Sequence, residues 1–180
     1  MTFERLSRHE IYRSSWVNLF VDRVRFPNGR VLEELHLVDF DAPSVVVIVE
    51  DQAGKIALVK VPRYATGEAG WELPAGWVDP VDSDYLAAAR REALEETGFI
   101  TTDHRLLYEF YPMNGIANKK MALVHCRASP ACQDPDENEI EALDWFSRDE
   151  IRQMIQGRSM TCGISLTGIF LFWEQCGQTV

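Results

Sequence analysis

Three glutamates, Glu92, Glu95 and Glu96, stand at positions i, i+3 and i+4. On a helix that spacing puts their carboxylates on one face. Like charges so placed repel by roughly 0.2–0.5 kcal/mol per pair. They also sit near the expected C-terminus of the helix, where the backbone dipole disfavours anions. Stability alone would favour Lys or Arg here. A divalent cation turns the repulsion into coordination, and clustered carboxylate oxygens suit a hard ion, Mg²⁺ or Mn²⁺. Taken alone, such a triplet is more often a solvated acidic face, so its surroundings decide between the two.

Those surroundings are Trp71-Glu72-Leu73-Pro74-Ala75-Gly76-Trp77, a loop, and then Arg91-Glu92-Ala93-Leu94-Glu95-Glu96-Thr97-Gly98-Phe99. The stretch resembles the Nudix box, G-x5-E-x7-R-E-U-x-E-E-x-G-U, where U is apolar. Gly76 matches the opening glycine, and residues 91–99 match the second half without a gap. One position departs. Asp82 stands where the early glutamate belongs, and the gap from there to Arg91 is one residue longer than the pattern. The role of Asp82 is therefore open, while the helical glutamates keep their frame.

The resemblance implies a metal-dependent hydrolase of pyrophosphate linkages. It assigns Glu92 and Glu96 as ligands of Mg²⁺ (or Mn²⁺), with Glu95 in support, and Arg91 as the group that orients a carboxylate. The order of N-terminal hairpin, apolar strand, Arg63-Tyr64, loop, W-E-L-P-A-G and helix is similar to the ADP-ribose pyrophosphatase and nucleoside diphosphate sugar branch. From that branch follow a metal-facing carbonyl on Ala75, a cleft lined by Gly76 and Trp77, and a substrate contact by Arg63.

A second acidic run, Asp136-Glu137-Asn138-Glu139, is similar to the branch's E-N-E loop. By position it makes Glu137 the general base and Glu139 a further metal ligand, with the exchange of the two as the alternative. After Tyr111-Pro112 the branch carries a carboxylate near the sugar. Here Gly115 remains as a substrate contact, and Asn118-Lys119 stand in place of the acid. The branch also exchanges an N-terminal sheet between subunits of a homodimer. Trp16, Phe20 and Phe26 are then candidates for stacking on the base, with plain hairpin core as the commoner role of any one of them.

The elements that must position these groups can be read from pattern. Residues 17–26 and 30–40 form an antiparallel hairpin across Asn28-Gly29. The run Val45-Val46-Val47-Ile48-Val49 reads as a buried strand paired with residues 56–61. Residues 63–70 read as a loop, 71–73 as a short strand, and 83–97 as a helix capped by Ser83 or Asp82 and stopped by Gly98. Strands follow at 105–111, 120–127 and 140–146. Ser147-Arg148-Asp149-Glu150 matches a capping box for a helix to Gln156, and an apolar helix spans 163–175. These mixed elements, of α+β or α/β class, predict an α/β/α sandwich around a mixed sheet (residues 43–180) with a small N-terminal antiparallel hairpin or sheet (residues 1–42).

Composition narrows the partners. The net charge of −10 disfavours nucleic acid, whose binding requires Lys and Arg against phosphates. No apolar run approaches the ~20 residues of a membrane span, and no export signal is recognised. The four cysteines lack C-x-x-C or zinc spacing and suit a reducing cytoplasm. The expected function is hydrolysis of ADP-ribose or another nucleoside diphosphate sugar. The alternatives are a Nudix module that binds nucleotide sugars without cleaving them and a Nudix pyrophosphatase for a different nucleotide.

Overall fold

The computed structural model describes residues 2–132 and 140–176. The valine-rich run forms β4 (Ser44–Glu50), buried along nearly its whole length. Its side chains alternate between two cores, as a strand with both faces covered requires. Val45, Val47 and Val49 meet Ala88, Ala89 and Ala93, whereas Val46 and Ile48 meet Ile151, Ile169 and Phe172. The first group of partners lies on helix α1 (Tyr85–Thr97). The second lies on α2 (Arg148–Gln156) and α3 (Gly163–Cys176). The expected α/β/α sandwich is therefore present.

Around β4 the sheet is mixed. β5 (Ile56–Arg63), β8 (Phe99–Phe110), β9 (Met121–Cys132) and β10 (Ala142–Phe146) complete the order β10-β5-β4-β9-β8. β4 runs parallel to β9, with Val47 opposite Val124. β4 and β5 were expected to pair along their lengths, but they meet only at Glu50 and Ile56 and then diverge. Two further strands fill the fork. β6 (Glu68–Glu72) pairs with β5, and β7 (Ala75–Trp77) pairs with β4. Thus part of the expected 63–70 loop is strand, and the segment read as ending at Pro74-Ala75-Gly76 re-enters the sheet there. Leu73 and Pro74 bridge the two halves. The Leu73 amide donates to Ser165 Oγ at 2.9 Å and the Val47 amide donates to the Pro74 carbonyl at 2.8 Å. Both groups of the bridge are thereby satisfied in the interior.

α1 starts two residues later than expected. Its cap is Asp84, whose side chain accepts from the Ala87 amide at 2.8 Å, in place of Ser83 or Asp82. Gly98 closes it with a φ of 71°, a left-handed conformation that suits glycine. The buried face is rich in alanine, so the helix axis lies close to the sheet. The capping box of α2 forms as expected between Ser147 and Glu150.

The chain divides into two compact units. One combines Met1–Pro43 with Tyr111–Lys120, and the other holds Ser44–Phe110 and Met121–Val180. In the first, the hairpin of β2 (Asn18–Arg25) and β3 (Val31–Asp39) gains an outer strand, β1 (Glu4–Tyr12), in the order β1-β2-β3. β1 is mostly polar and exposed, which explains why no apolar period announced it. Arg8 on β1 holds the buried Asp22 on β2 through two hydrogen bonds of 2.8 and 2.7 Å. In the same unit Asn118 ties the 111–120 segment to β3, donating to Asp39 Oδ1 at 2.8 Å and accepting from the Phe40 amide at 2.7 Å. Lys119 lies over the Phe40 ring, and burial pushes its ammonium down to about 8. Among the described residues no helix is long and apolar enough to cross a membrane.

Candidate active site

The fork between β4 and β5 places β7 beneath the last turns of α1. Glu92 is 7% exposed, unusual for a carboxylate, and its position explains the glycine of the motif. A Cβ built on Gly76 would lie 2.0 Å from Glu92 Oε1 and 2.1 Å from its Cδ. Only a residue without a side chain lets the carboxylate rest on the strand. One turn later, Glu96 accepts a hydrogen bond from the Ala75 amide through Oε2 at 3.3 Å. Helix and strand thus hold Glu92 and Glu96 against Ala75-Gly76.

Arg91 organises the acids around it. Its Nη1 donates to Glu92 Oε1 at 2.8 Å and to Glu95 Oε2 at 2.9 Å. Its Nη2 donates to the Trp77 carbonyl at 2.8 Å and to Asp82 Oδ2 at 2.9 Å. Asp79 lies at 3.7 Å from the same nitrogen. The hydrogen bond to Asp82 is the largest influence raising the Arg91 pKa, with Glu92 adding charge attraction, so the guanidinium stays cationic. The same hydrogen bond is the main cause that holds the Asp82 carboxyl below its usual range, against the opposing cost of burial. Asp82 also accepts from the Asp79 amide at 2.9 Å and so fixes the enlarged loop. The shorter acid in the departed position therefore still reaches the arginine.

This pair makes stability depend on pH in a defined direction. A carboxyl whose folded pKa lies below its unfolded value of about 3.9 contributes stability above that value and loses it as pH falls through the folded pKa. Between pH 6 and pH 2.5 the melting temperature of the wild type should fall further than that of Asp82→Asn. Parallel melting curves for the two proteins across that range would refute a stabilising role for the pair.

Arg63 ends β5 and forms a two-pronged pair with Glu72, through Nε at 3.0 Å and Nη2 at 2.8 Å. The Glu72 side chain is buried while that of Arg63 is half exposed. From sequence, Glu72 was assigned no role and Asp82 only that of an alternative cap of α1. A signal for Glu72 was present, because an acid buried between Trp71 and Leu73 calls for a cationic or hydrogen-bonding partner beside it.

Trp77 is half-buried and offers its carbonyl to Arg91. In the N-terminal unit, Trp16 is exposed, and Gly115 lies in the exposed 111–120 segment. Phe20 requires a correction. It is 3% exposed, with the Arg8 guanidinium 4.2 Å above its ring, so that face is already covered and the residue belongs to the sheet core. Phe26 packs edge-on against Phe3 at 5.1 Å. Glu137 and Glu139 lie outside the described residues. Among the described residues no three His, Cys, Asp or Glu side chains gather into a metal-binding group. Glu92 and Glu96 supply the hard oxygen donors a divalent cation requires, and two carboxylates suit a cation that keeps waters or substrate oxygens.

Comparison with known proteins identifies the family of the chain. The NUDIX domain pattern matches residues 41–160. The CMP-5'-(N-acetyl-N-hydroxy-3-aminopropyl)phosphonate hydrolase of Streptomyces rubellomurinus is 29% identical over 159 residues, 87% of this chain and 75% of that protein. The ADP-ribose pyrophosphatase of Mycobacterium tuberculosis is 24% identical over 93% of this chain and 81% of its own length. That of Escherichia coli is 26% identical over 96% and 87%. A solved structure described as an ADP compounds hydrolase superposes with a TM-score of 0.85, at 19% identity, over 99% of this chain and 97% of that one, which shows the shared fold. The chain belongs to the Nudix family, among the pyrophosphohydrolases that resemble ADP-ribose pyrophosphatase.

Proposed function

We propose that the protein hydrolyses the P–O–P linkage of a nucleoside diphosphate sugar, ADP-ribose or another, with Mg²⁺ or Mn²⁺ as cofactor. The observation that carries this reading is the seating of Glu92 and Glu96 on Ala75-Gly76, with Arg91 bonded to Glu92. Hydrolysis adds water across the bridge. The water oxygen bonds to one phosphorus, the bridging oxygen leaves on the other, and a nucleoside monophosphate and a sugar phosphate result.

Glu92, Glu96 and the Ala75 carbonyl would hold the cation, together with Glu139, while Glu95 supports them through its bond to Arg91. A bound divalent cation supplies charge neutralisation on the diphosphate oxygens. Glu137 is assigned to take the proton of the attacking water. Arg63 holds a phosphate, because its pair with Glu72 occupies only one edge of the guanidinium. Gly76 and Trp77 would line the substrate; the roles of Gly115 as a substrate contact and of Trp16 or Phe26 in stacking on the base are carried over from the branch's pattern.

The exposed apolar side chains of the N-terminal unit, Ile11, Tyr12 and Trp16, support a homodimer through this sheet. Cys126, Cys162 and Cys176 are free thiols, which supports a cytoplasmic location. One relative favours a second reading of the substrate. The Streptomyces protein is named for a CMP-linked phosphonate, so the half beyond the nucleoside monophosphate need not be a sugar.

A panel tests the proposal: ADP-ribose, GDP-mannose, ADP-glucose, UDP-glucose, NADH and a CMP phosphonate, each with Mg²⁺ or Mn²⁺. Release of phosphate is scored after coupling to a phosphatase. Metal-dependent turnover of a nucleotide sugar supports the main reading, and turnover of the phosphonate alone supports the second. Tight binding of the panel without turnover would identify a non-catalytic module.

A further inference from the structure

Arg63 and Glu68 are direct neighbours across the β5–β6 ladder, yet Arg63 does not use Glu68. It lies back along the sheet to Glu72, which faces Val59 four residues away in register. Burial explains the choice. Glu68 is exposed and solvated, whereas Glu72 is 7% exposed, and a buried carboxylate without a cation is strongly disfavoured. The choice also sets direction. Glu72 is the last residue of β6, and only Leu73 and Pro74 separate it from Ala75, so Arg63 is drawn toward the glutamate site. Glu96 lies close enough to add to the stabilisation of the Arg63 charge. Near the start of α3, burial pushes the Cys162 thiol pKa up, and the negative charge of Glu72 adds to that rise.

We infer that Glu72 is a positioning residue that aims Arg63 at the diphosphate. It accepts from Nε and Nη2 and leaves the Nη1 edge of a planar, pre-oriented fork for phosphate oxygens. An arginine so held loses little side-chain freedom when an anion binds. Glu72 itself touches no substrate. The inference rests on the proposed function for the identity of the ligand but not for the geometry of the pair.

The test uses Glu72→Gln, Arg63→Gln and the double variant. Two readings are taken with Mg²⁺ present: turnover of ADP-ribose and calorimetric binding of inorganic pyrophosphate. Loss of an orienting partner typically weakens a site by about 10–100-fold. Glu72→Gln should therefore weaken pyrophosphate binding and raise KM about tenfold while leaving kcat within about threefold, the pattern of lost uniform binding. In the Arg63→Gln background the same change should cost nothing further, because Glu72 acts through the arginine. A merely structural Glu72 would give additive losses with a lowered melting temperature and no selective rise in KM, which overturns the inference. So does absent wild-type pyrophosphate binding, or binding unchanged in Glu72→Gln. If pyrophosphate binds and responds as expected while no nucleotide sugar of the panel is hydrolysed, the pair keeps its role and the proposed substrate class falls.

Discussion

Glu96→Gln should fold with a melting temperature close to wild type and turn over at least about 100-fold more slowly, since a metal's stabilisation of transition-state charge amounts to several kcal/mol and each 1.36 kcal/mol is tenfold in rate. The substitution is nearly isosteric. Glutamine retains a carbonyl oxygen that accepts from the Ala75 amide, so the contact between α1 and β7 survives. What disappears is the negative charge that a divalent cation requires. Steady-state kcat at saturating Mg²⁺, with circular dichroism as the control of folding, decides the matter. A variant that keeps more than about a tenth of the wild-type kcat, a loss of under 1.36 kcal/mol, would remove Glu96 from the machinery.

Gly76→Ala should be nearly as damaging for a different reason. The added methyl would occupy the space of the Glu92 carboxylate, at 2.0 Å from Oε1 and 2.3 Å from Oε2. Neither element can yield easily, because β7 is hydrogen-bonded to β4 and α1 packs on the core through alanines. Glu92 must therefore swing away and give up its 2.8 Å bond to Arg91. The expected result is a kcat reduced to near that of Glu92→Gln and a destabilisation of about 1–3 kcal/mol, the usual cost of overpacking. A double-mutant cycle separates the causes. With Glu92 already shortened to alanine, the methyl has room, and the stability cost of Gly76→Ala should largely vanish. A cost that persists undiminished would place the strain elsewhere.

How much of this was legible in the sequence varies with physical cause. The valines of β4, the capping box at Ser147 and the terminal Gly98 declare themselves locally, through periodicity and backbone geometry that any neighbour context preserves. The carboxylate face of α1 was equally plain from spacing. The fork was not. Residues 63–77 look like a loop with a short strand because β6 and β7 are short, contain Gly70 and Gly76, and owe their extended form to partners distant in sequence. β1 was missed because its stabilising contacts, such as Arg8 with Asp22, are polar. Around α1, the frame of the motif singled out Glu92, Glu96 and Arg91 as candidates. It could not show that Asp82 still meets Arg91 across an enlarged loop, nor that Glu72 rather than solvent faces Arg63. Both depend on where a side chain ends, which backbone pattern does not encode. Phe20 failed for the complementary reason: alternation marks which side of a strand a ring is on but not whether an arginine already lies over it.

The strand beneath the helix has one more consequence. Because residues 75–77 are hydrogen-bonded to the centre of the main sheet, and Pro74 holds the amide of Val47, the strand on which Glu92 and Glu96 rest should open only together with that sheet. Such ladders open only in large cooperative units. Thermal inactivation through this strand and global melting of the domain should then coincide, so that warming the enzyme gives no temperature window in which a folded protein has lost its carboxylate seat.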